Sequence, residues 1–292
     1  MSLENEIIQA LKNKVPEFAS INEQQLEYIQ AGAYCLHTTP SYFIKWIPNS
    51  DQLGQNEIWV NQNILKKVDI PTPRLICTIK AEEVSIACWE WLDGKDLRFQ
   101  HRDWLPLAFA KLGEFHAQQH NNQPVYSPTT LRSYNTISEL LKTELEFLCS
   151  YHDSYVLQKA RSLFSLLELG YPTYIHGDLH PGNIRLIGNN LKFVDWSYCK
   201  NSLSLFDLSY IETISFEGAV ANEWWQITPE ESALILPLYY KACGLNEFDF
   251  KQTHYAVMLW SKLWSYSNCI KNDNKNEALI CRQHIDQLIS LA

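Results

Sequence analysis

No apolar stretch of this 292-residue chain approaches the length of a membrane span, which argues against a transmembrane segment. Its 24 basic residues, set against 33 acidic ones, form no Lys/Arg stripe and no patch interleaved with aromatics, so nucleic acid is not an expected partner. Eight cysteines, at 35, 77, 88, 149, 199, 243, 269 and 281, form no CxxC pair, and several sit in apolar runs. They read as reduced core thiols rather than a disulfide frame or a zinc site. There is no internal repeat and no low-complexity segment. The start, MSLENEIIQALKNKV, carries charge and helical periodicity but no signal-peptide core, and a cytoplasmic protein is the expectation. With 46% hydrophobic and 13% aromatic residues, the chain can bury one large core or two lobes. The formal net charge of −9 suits the steering of a cationic small molecule such as an amino sugar or amino alcohol, and equally suits solubility alone.

The most informative residues are His176, Gly177, Asp178, Leu179, His180, Pro181, Gly182 and Asn183, followed twelve residues after the Asn by Asp195. TYI before them reads as a short strand, and IRLI and LKFV after them flank a turn at Gly188-Asn189-Asn190. In that hairpin Ile184 and Leu186 alternate with Arg185, and Leu191 and Phe193 with Lys192, as in a half-buried ribbon. Asn183 would lie where the ribbon begins and Asp195 where it ends, and antiparallel pairing makes such residues neighbours. Phosphoryl transfer asks a protein mainly for positioning and charge neutralisation. Asp178 would orient an attacking hydroxyl, while Asn183 and Asp195 offer the hard oxygens that Mg2+ takes beside phosphates and water. His176 would brace the loop, and Pro181 and Gly182 would turn it.

On these residues the chain resembles the aminoglycoside phosphotransferase and choline kinase superfamily. Its catalytic segment reads HGDxxxxN and is the small-molecule counterpart of the HRDxxxxN loop of protein kinases. The resemblance implies that VDW around Asp195 is a metal-binding segment and that Asp207, in LFDLSYIE, opens a helix and supports the catalytic loop. It also implies an α+β, protein-kinase-like two-lobed fold: a small N-terminal antiparallel sheet lobe with one main helix over 1–93, and a larger, mostly helical catalytic and substrate-binding lobe over 94–292. The implied activity is transfer of the γ-phosphate of ATP, with Mg2+, to a hydroxyl of a small molecule. The rival reading is a catalytically impaired pseudokinase or nucleotide-binding regulator.

The N-terminal third accommodates this. SYFIKWI reads as a strand in which Lys45 is the lone charge, the place of the family's nucleotide lysine. Glu57 opens the helix-periodic segment EIWVNQNILKK, before Pro71 and Pro73, and would pair with Lys45. VSIACWEWLDGKDL reads as a strand breaking at Asp93-Gly94, and the resemblance places the adenine edge against backbone near Glu90 and Leu92. One departure stands out: the expected phosphate-covering loop reads EYIQAGAYCLHTT, with Gly32 its sole glycine and no GxGxxG.

Beyond Asp93-Gly94, helical periodicity is expected over 103 to 120, 136 to 149, 154 to 169, 230 to 243, 249 to 271 and 276 to 291, and the only obvious strands there are those around the motif. His116 and His120 share a helical face but lack the further ligands of a zinc-protease pattern. For the acceptor, Glu217, Glu223, Trp224 and Trp225, with Trp260 and Trp264, suit a box for a cation. Trp260 and Trp264 are one helical turn apart, and core is the preferred reading for them.

Overall fold

The structure, a computed structural model, describes residues 2–97, 102–119, 139, 142, 148, 150–152, 154–167, 172–213 and 227–291. They fall into two compact units: among the described residues the first takes 2–97 with 182–199, and the second takes the rest.

The first unit begins with helix α1 (Leu3–Lys14), whose Ser2 cap accepts from the Asn5 amide at 3.3 Å. A five-stranded antiparallel sheet follows: β1 (Leu26–Gln30), β2 (Ala33–Leu36), β3 (Tyr42–Pro48), β4 (Leu75–Lys80) and β5 (Val84–Glu90), in the order β1-β2-β3-β5-β4. Ile7, Ile8 and Leu11 on one face of α1 pack with Leu36, Ile44, Ile86 and Cys88 of the sheet. The β1–β2 connection is a two-residue turn, Ala31-Gly32, with φ of 39° and 76°. Positive φ at both positions is what a tight hairpin turn needs. A Cβ on Gly32 would come within 2.9 Å of the Trp46 carbonyl, and the Trp46 amide donates to the Gly32 carbonyl at 2.8 Å, so the turn lies flat on β3.

Helix α2 spans Gln52–Asn63 and starts five residues before the expected opening at Glu57. Periodicity missed this because the start is set by a cap: the Asp51 carboxylate accepts from the Gly54 amide at 3.1 Å. After β5 comes β6 (Lys95–Asp96), which pairs with β8 (Ile184–Ile187) of the hairpin completed by β9 (Asn190–Phe193). Ile184 faces Phe193 across the hairpin, Ile184, Leu186, Leu191 and Phe193 are buried, and Arg185 and Lys192 are half-buried, as the alternation predicts.

The second unit holds α3 (Leu105–Gln119), α4 (Ser154–Leu167), β7 (Pro172–Ile175), β10 (Lys200–Leu203), α5 (Leu205–Thr213), α6 (Pro229–Cys243), α7 (Glu247–Lys271) and α8 (Lys275–Leu291). Strand β10 pairs antiparallel with β7, Lys200 opposite Ile175. Strands β6 and β10 were not expected, since KD and KNSL carry little β propensity and become strands through the partners that border them. Helix α6 opens on a capping box, Thr228 with Glu231, and closes on Gly244. Helix α3 packs on α6, while α4, α5 and α8 pack on the long α7. Most of the expected segment 136 to 149 lies outside the described residues, as do His120 and Cys149. Of the two tryptophans, Trp260 is core at 3% exposure and Trp264 is 45% exposed. The seven described cysteines are free thiols, all buried except the half-buried Cys77. No described helix is long and apolar enough to cross a membrane.

Candidate active site

In the first unit, β3 and α2 bring Lys45 and Glu57 together, Nζ to Oε2, at 2.7 Å. The ammonium lies 5.8 Å and 5.9 Å from the ring centres of Phe43 and Trp89. Burial alone would lower the Lys45 pKa, but Glu57 and then Asp195 hold it above the ordinary lysine value. Burial pushes the Glu57 carboxyl up; Lys45 opposes that rise and Asp195 adds to it. Asp195 therefore belongs to the same electrostatic neighbourhood as the pair.

Asn183 ends a single turn of 3-10 helix, Pro181–Asn183, and is buried. Its carbonyl accepts from the Val194 amide at 2.9 Å, which closes the ribbon where Asp195 begins. Asp195 has φ of 61°, a left-handed conformation uncommon outside glycine, and its Oδ1 accepts from the Ser197 hydroxyl at 2.8 Å. Such backbone conformations cluster at functional sites. A divalent cation fits this donor set: a carboxamide oxygen and a carboxylate oxygen are hard ligands, and the two acids Asp195 and Glu57 outnumber the single Lys45. Among the described residues no three His, Cys, Asp or Glu side chains cluster as a metal group by themselves.

Two further contacts organise this half. The Asn56 amide, fully buried on α2 beside Glu57, donates to the Ser197 and Cys199 carbonyls at 2.9 Å each. Lys192 of β9 forms an ion pair with Glu90 at the end of β5. The amides of Glu90 and Trp91 donate to the Arg74 and Ser41 carbonyls at 3.0 and 3.3 Å, and Leu92 follows on the irregular segment after the strand.

In the second unit, Asp207 in the first turn of α5 is 1% exposed. It accepts from the His176 amide at 2.6 Å on Oδ2 and from the Gly177 amide at 2.8 Å on Oδ1. His116 stands 3.4 Å from Asp207 through Nε2, and its Nδ1 bonds the Tyr239 hydroxyl at 2.8 Å, so this histidine braces α5 from α3. The His176 ring is buried, and Gly177 adopts φ of 80°, where a side chain would be strained. Asp178 follows, a quarter exposed; its Oδ1 accepts from the Tyr210 hydroxyl at 2.9 Å, and His180 Nε2 stands 3.8 Å from Oδ2.

Of the expected site residues, Lys45, Glu57, Glu90, Leu92, Asn183 and Asp195 thus belong to the first unit and His176 and Asp178 to the second. Sequence reasoning passed over Asn56 and Tyr210. A buried polar residue on a helix leaves no periodic signal, although Tyr210 comes three residues after Asp207 and shares its helical face. Glu217, Glu223, Trp224 and Trp225 lie outside the described residues.

Solved structures share this fold. The GDP complex of aminoglycoside 2'-phosphotransferase-IIIa superposes with a TM-score of 0.62 at 13% identity, covering 99% of each chain. Choline kinase from Cryptosporidium parvum Iowa II gives 0.60 at 15% identity, covering 97% of this chain and 94% of its own. Amicoumacin kinase hAmiN, in complex with AMP-PNP, Ca2+ and Ami, gives 0.60 at 15% identity, covering 100% and 97%. The fold is the α+β, kinase-like one of these proteins, a small antiparallel sheet followed by a larger set of helices. No curated protein matches the chain by sequence. The sequence model of the phosphotransferase enzyme family matches residues 59–227, more than half of the chain and inclusive of Asp178, Asn183, Asp195 and Asp207. On that match, this chain belongs to the phosphotransferase enzyme family.

Proposed function

We propose that this phosphotransferase moves the γ-phosphate of ATP, with Mg2+, to a hydroxyl of a small, cationic molecule of the amino-sugar or amino-alcohol class. Residues 1–93 serve as the nucleotide-binding lobe and 94–292 as the catalytic and substrate-binding lobe. The observation that carries the reading is the Lys45–Glu57 pair at 2.7 Å with Asp195 in its field. Lys45 holds the α- and β-phosphates, and Glu57 keeps the ammonium from turning away. Backbone groups at Glu90 and Leu92 take the adenine edge. Asn183 and Asp195 hold the divalent cation, which when bound offsets charge on the phosphate oxygens.

Asp178 accepts a hydrogen bond from the acceptor hydroxyl and aligns it. As the hydroxyl oxygen bonds to the γ-phosphorus, the bond from phosphorus to the β–γ bridging oxygen breaks. Its electron pair leaves with ADP, and the hydroxyl proton passes to Asp178. His176 acts through the loop, with its amide tied to Asp207. Support for a small acceptor comes from the neighbours, one solved in complex with GDP and kanamycin and another a choline kinase. A pseudokinase is the second reading. It rests on the Ala31-Gly32 turn, which is two residues long and already hydrogen-bonded to β3, leaving little loop to cover phosphates.

The test is Mg2+-dependent ADP release from ATP across kanamycin, choline, ethanolamine, homoserine and simple sugars, with Asp178→Asn as control. Release stimulated by one acceptor and lost in the variant supports the kinase. ATP binding without release under any acceptor favours the pseudokinase.

A further inference from the structure

Two side chains of helix α5 reach the HGD segment, one holding its backbone and the other a side chain. Asp207 fixes the amides of His176 and Gly177. Three residues on, so on the same helical face, Tyr210 donates its hydroxyl to Oδ1 of Asp178 at 2.9 Å. Anchoring the backbone of residues 176 and 177 does not choose a rotamer for residue 178. A short carboxylate that is 27% exposed samples several staggered positions unless something holds it.

The phenol is a suitable holder because its own support is stiff. Ser209 bonds Ser261 of α7 at 2.7 Å, and the Glu212 carboxylate bonds both the His254 ring of α7 and the Ser232 hydroxyl of α6. These contacts bracket Tyr210 on either side along α5. A donor on a clamped helix presents one fixed direction, which is what holding a reacting group within a fraction of an ångström demands.

We propose that Tyr210 is a positioning residue for phosphoryl transfer. Its hydroxyl holds Oδ1 of Asp178 and selects the side-chain rotamer that presents the carboxylate to the acceptor hydroxyl. The proposal rests on the reading of Asp178 as the base.

A different role fits the same distance and makes opposite predictions: the Tyr210 hydroxyl occupies the place an acceptor hydroxyl would take and is displaced by it. The experiment compares wild type, Tyr210→Phe and Asp178→Asn in ADP release. It uses the fastest acceptor of the panel above, or water where none accelerates release, together with thermal melting of each protein. Phe keeps the ring and removes only the O–H. The expected result is a kcat about 10- to 100-fold lower in Tyr210→Phe, with KM for ATP and the melting temperature unchanged. Unchanged kcat, or a lower acceptor KM with kcat kept or raised, overturns the positioning role while Asp178→Asn remains inactive. Full activity in Asp178→Asn instead overturns the underlying reading of Asp178. A loss of activity in Tyr210→Phe that merely follows a lowered melting temperature also counts against the proposal.

Discussion

Replacing Asp207 by asparagine exchanges a single oxygen for an NH2 group and should damage both stability and turnover. The native carboxylate gives one oxygen to the His176 amide at 2.6 Å and the other to the Gly177 amide at 2.8 Å, in a site 1% exposed. Asparagine supplies one acceptor oxygen and sets an NH2 group against the second N–H. One charge-assisted bond is lost, at roughly 1.5–3 kcal/mol, and a buried donor is orphaned, at roughly 1–3 kcal/mol. Relief from burying a charge offsets part of this, which leaves about 3 kcal/mol net. In a chain of this size that lowers Tm by about 6–12 °C. Because Asp178 is the next residue after Gly177, a shift of about 1 Å in the loop should also cost about 100-fold in kcat. Calorimetry and acceptor-dependent ADP release measure the two effects. A Tm within about 2 °C of wild type with kcat within about twofold would refute the clamp.

Three further variants probe other contacts. Lys45→Met strands Glu57 and should cost about 3–5 kcal/mol near neutral pH. Burial already pushes Glu57 up and Lys45 opposes that, so the variant's carboxyl rises further. The folded state then holds the extra proton, and stability is best below the unfolded carboxyl value of about 4.3 and declines as pH climbs through the raised folded one. Urea midpoints at pH 5 and 8 should show a wider deficit at pH 8, and equal deficits would contradict the account. Glu231 behaves in the opposite sense: burial raises its carboxyl, but hydrogen bonds from Arg102 and Thr228, with the Arg102 charge, together outweigh this and hold it below the usual range. The pair's contribution, about 0.5–1 kcal/mol for groups this exposed, is present above the unfolded carboxyl value and lost as pH falls through the depressed one. Arg102→Gln should therefore lower Tm by more at pH 7 than at pH 3. Thr228→Ala removes the cap of α6 and should cost about 1 kcal/mol by urea denaturation, and an unchanged midpoint would deny the cap a role.

What the sequence disclosed was local or periodic. The hairpin after Asn183 was legible because apolar and polar residues alternate through it, and Lys45 stood out as the one charge in an apolar strand. Five of the helices beyond Asp93-Gly94 could be read from apolar spacing to within a few residues. Contacts made by single polar atoms across long separations were not legible. Asn56 meets Ser197 and Cys199 more than 140 residues away, and nothing in the composition of α2 signals that its amide faces a backbone rather than water. Strand β10 escaped notice because KNSL is polar and gains its ladder only from β7. The start of α2 escaped for a related reason, since one carboxylate at Asp51 sets it against the cost of Gly54.

The adjacency of Asn56 and Glu57 has a mechanical consequence. In protein kinases the position of the helix that carries the acid controls whether it engages the lysine. Here an outward swing of α2 would break the two hydrogen bonds that the Asn56 amide gives to the Ser197 and Cys199 carbonyls as well as an ion pair. Each bond broken without replacement by water is expensive. Helix α2 is therefore riveted rather than hinged, and control of this protein by helix rotation is closed off unless the strip from 195 to 199 moves with it.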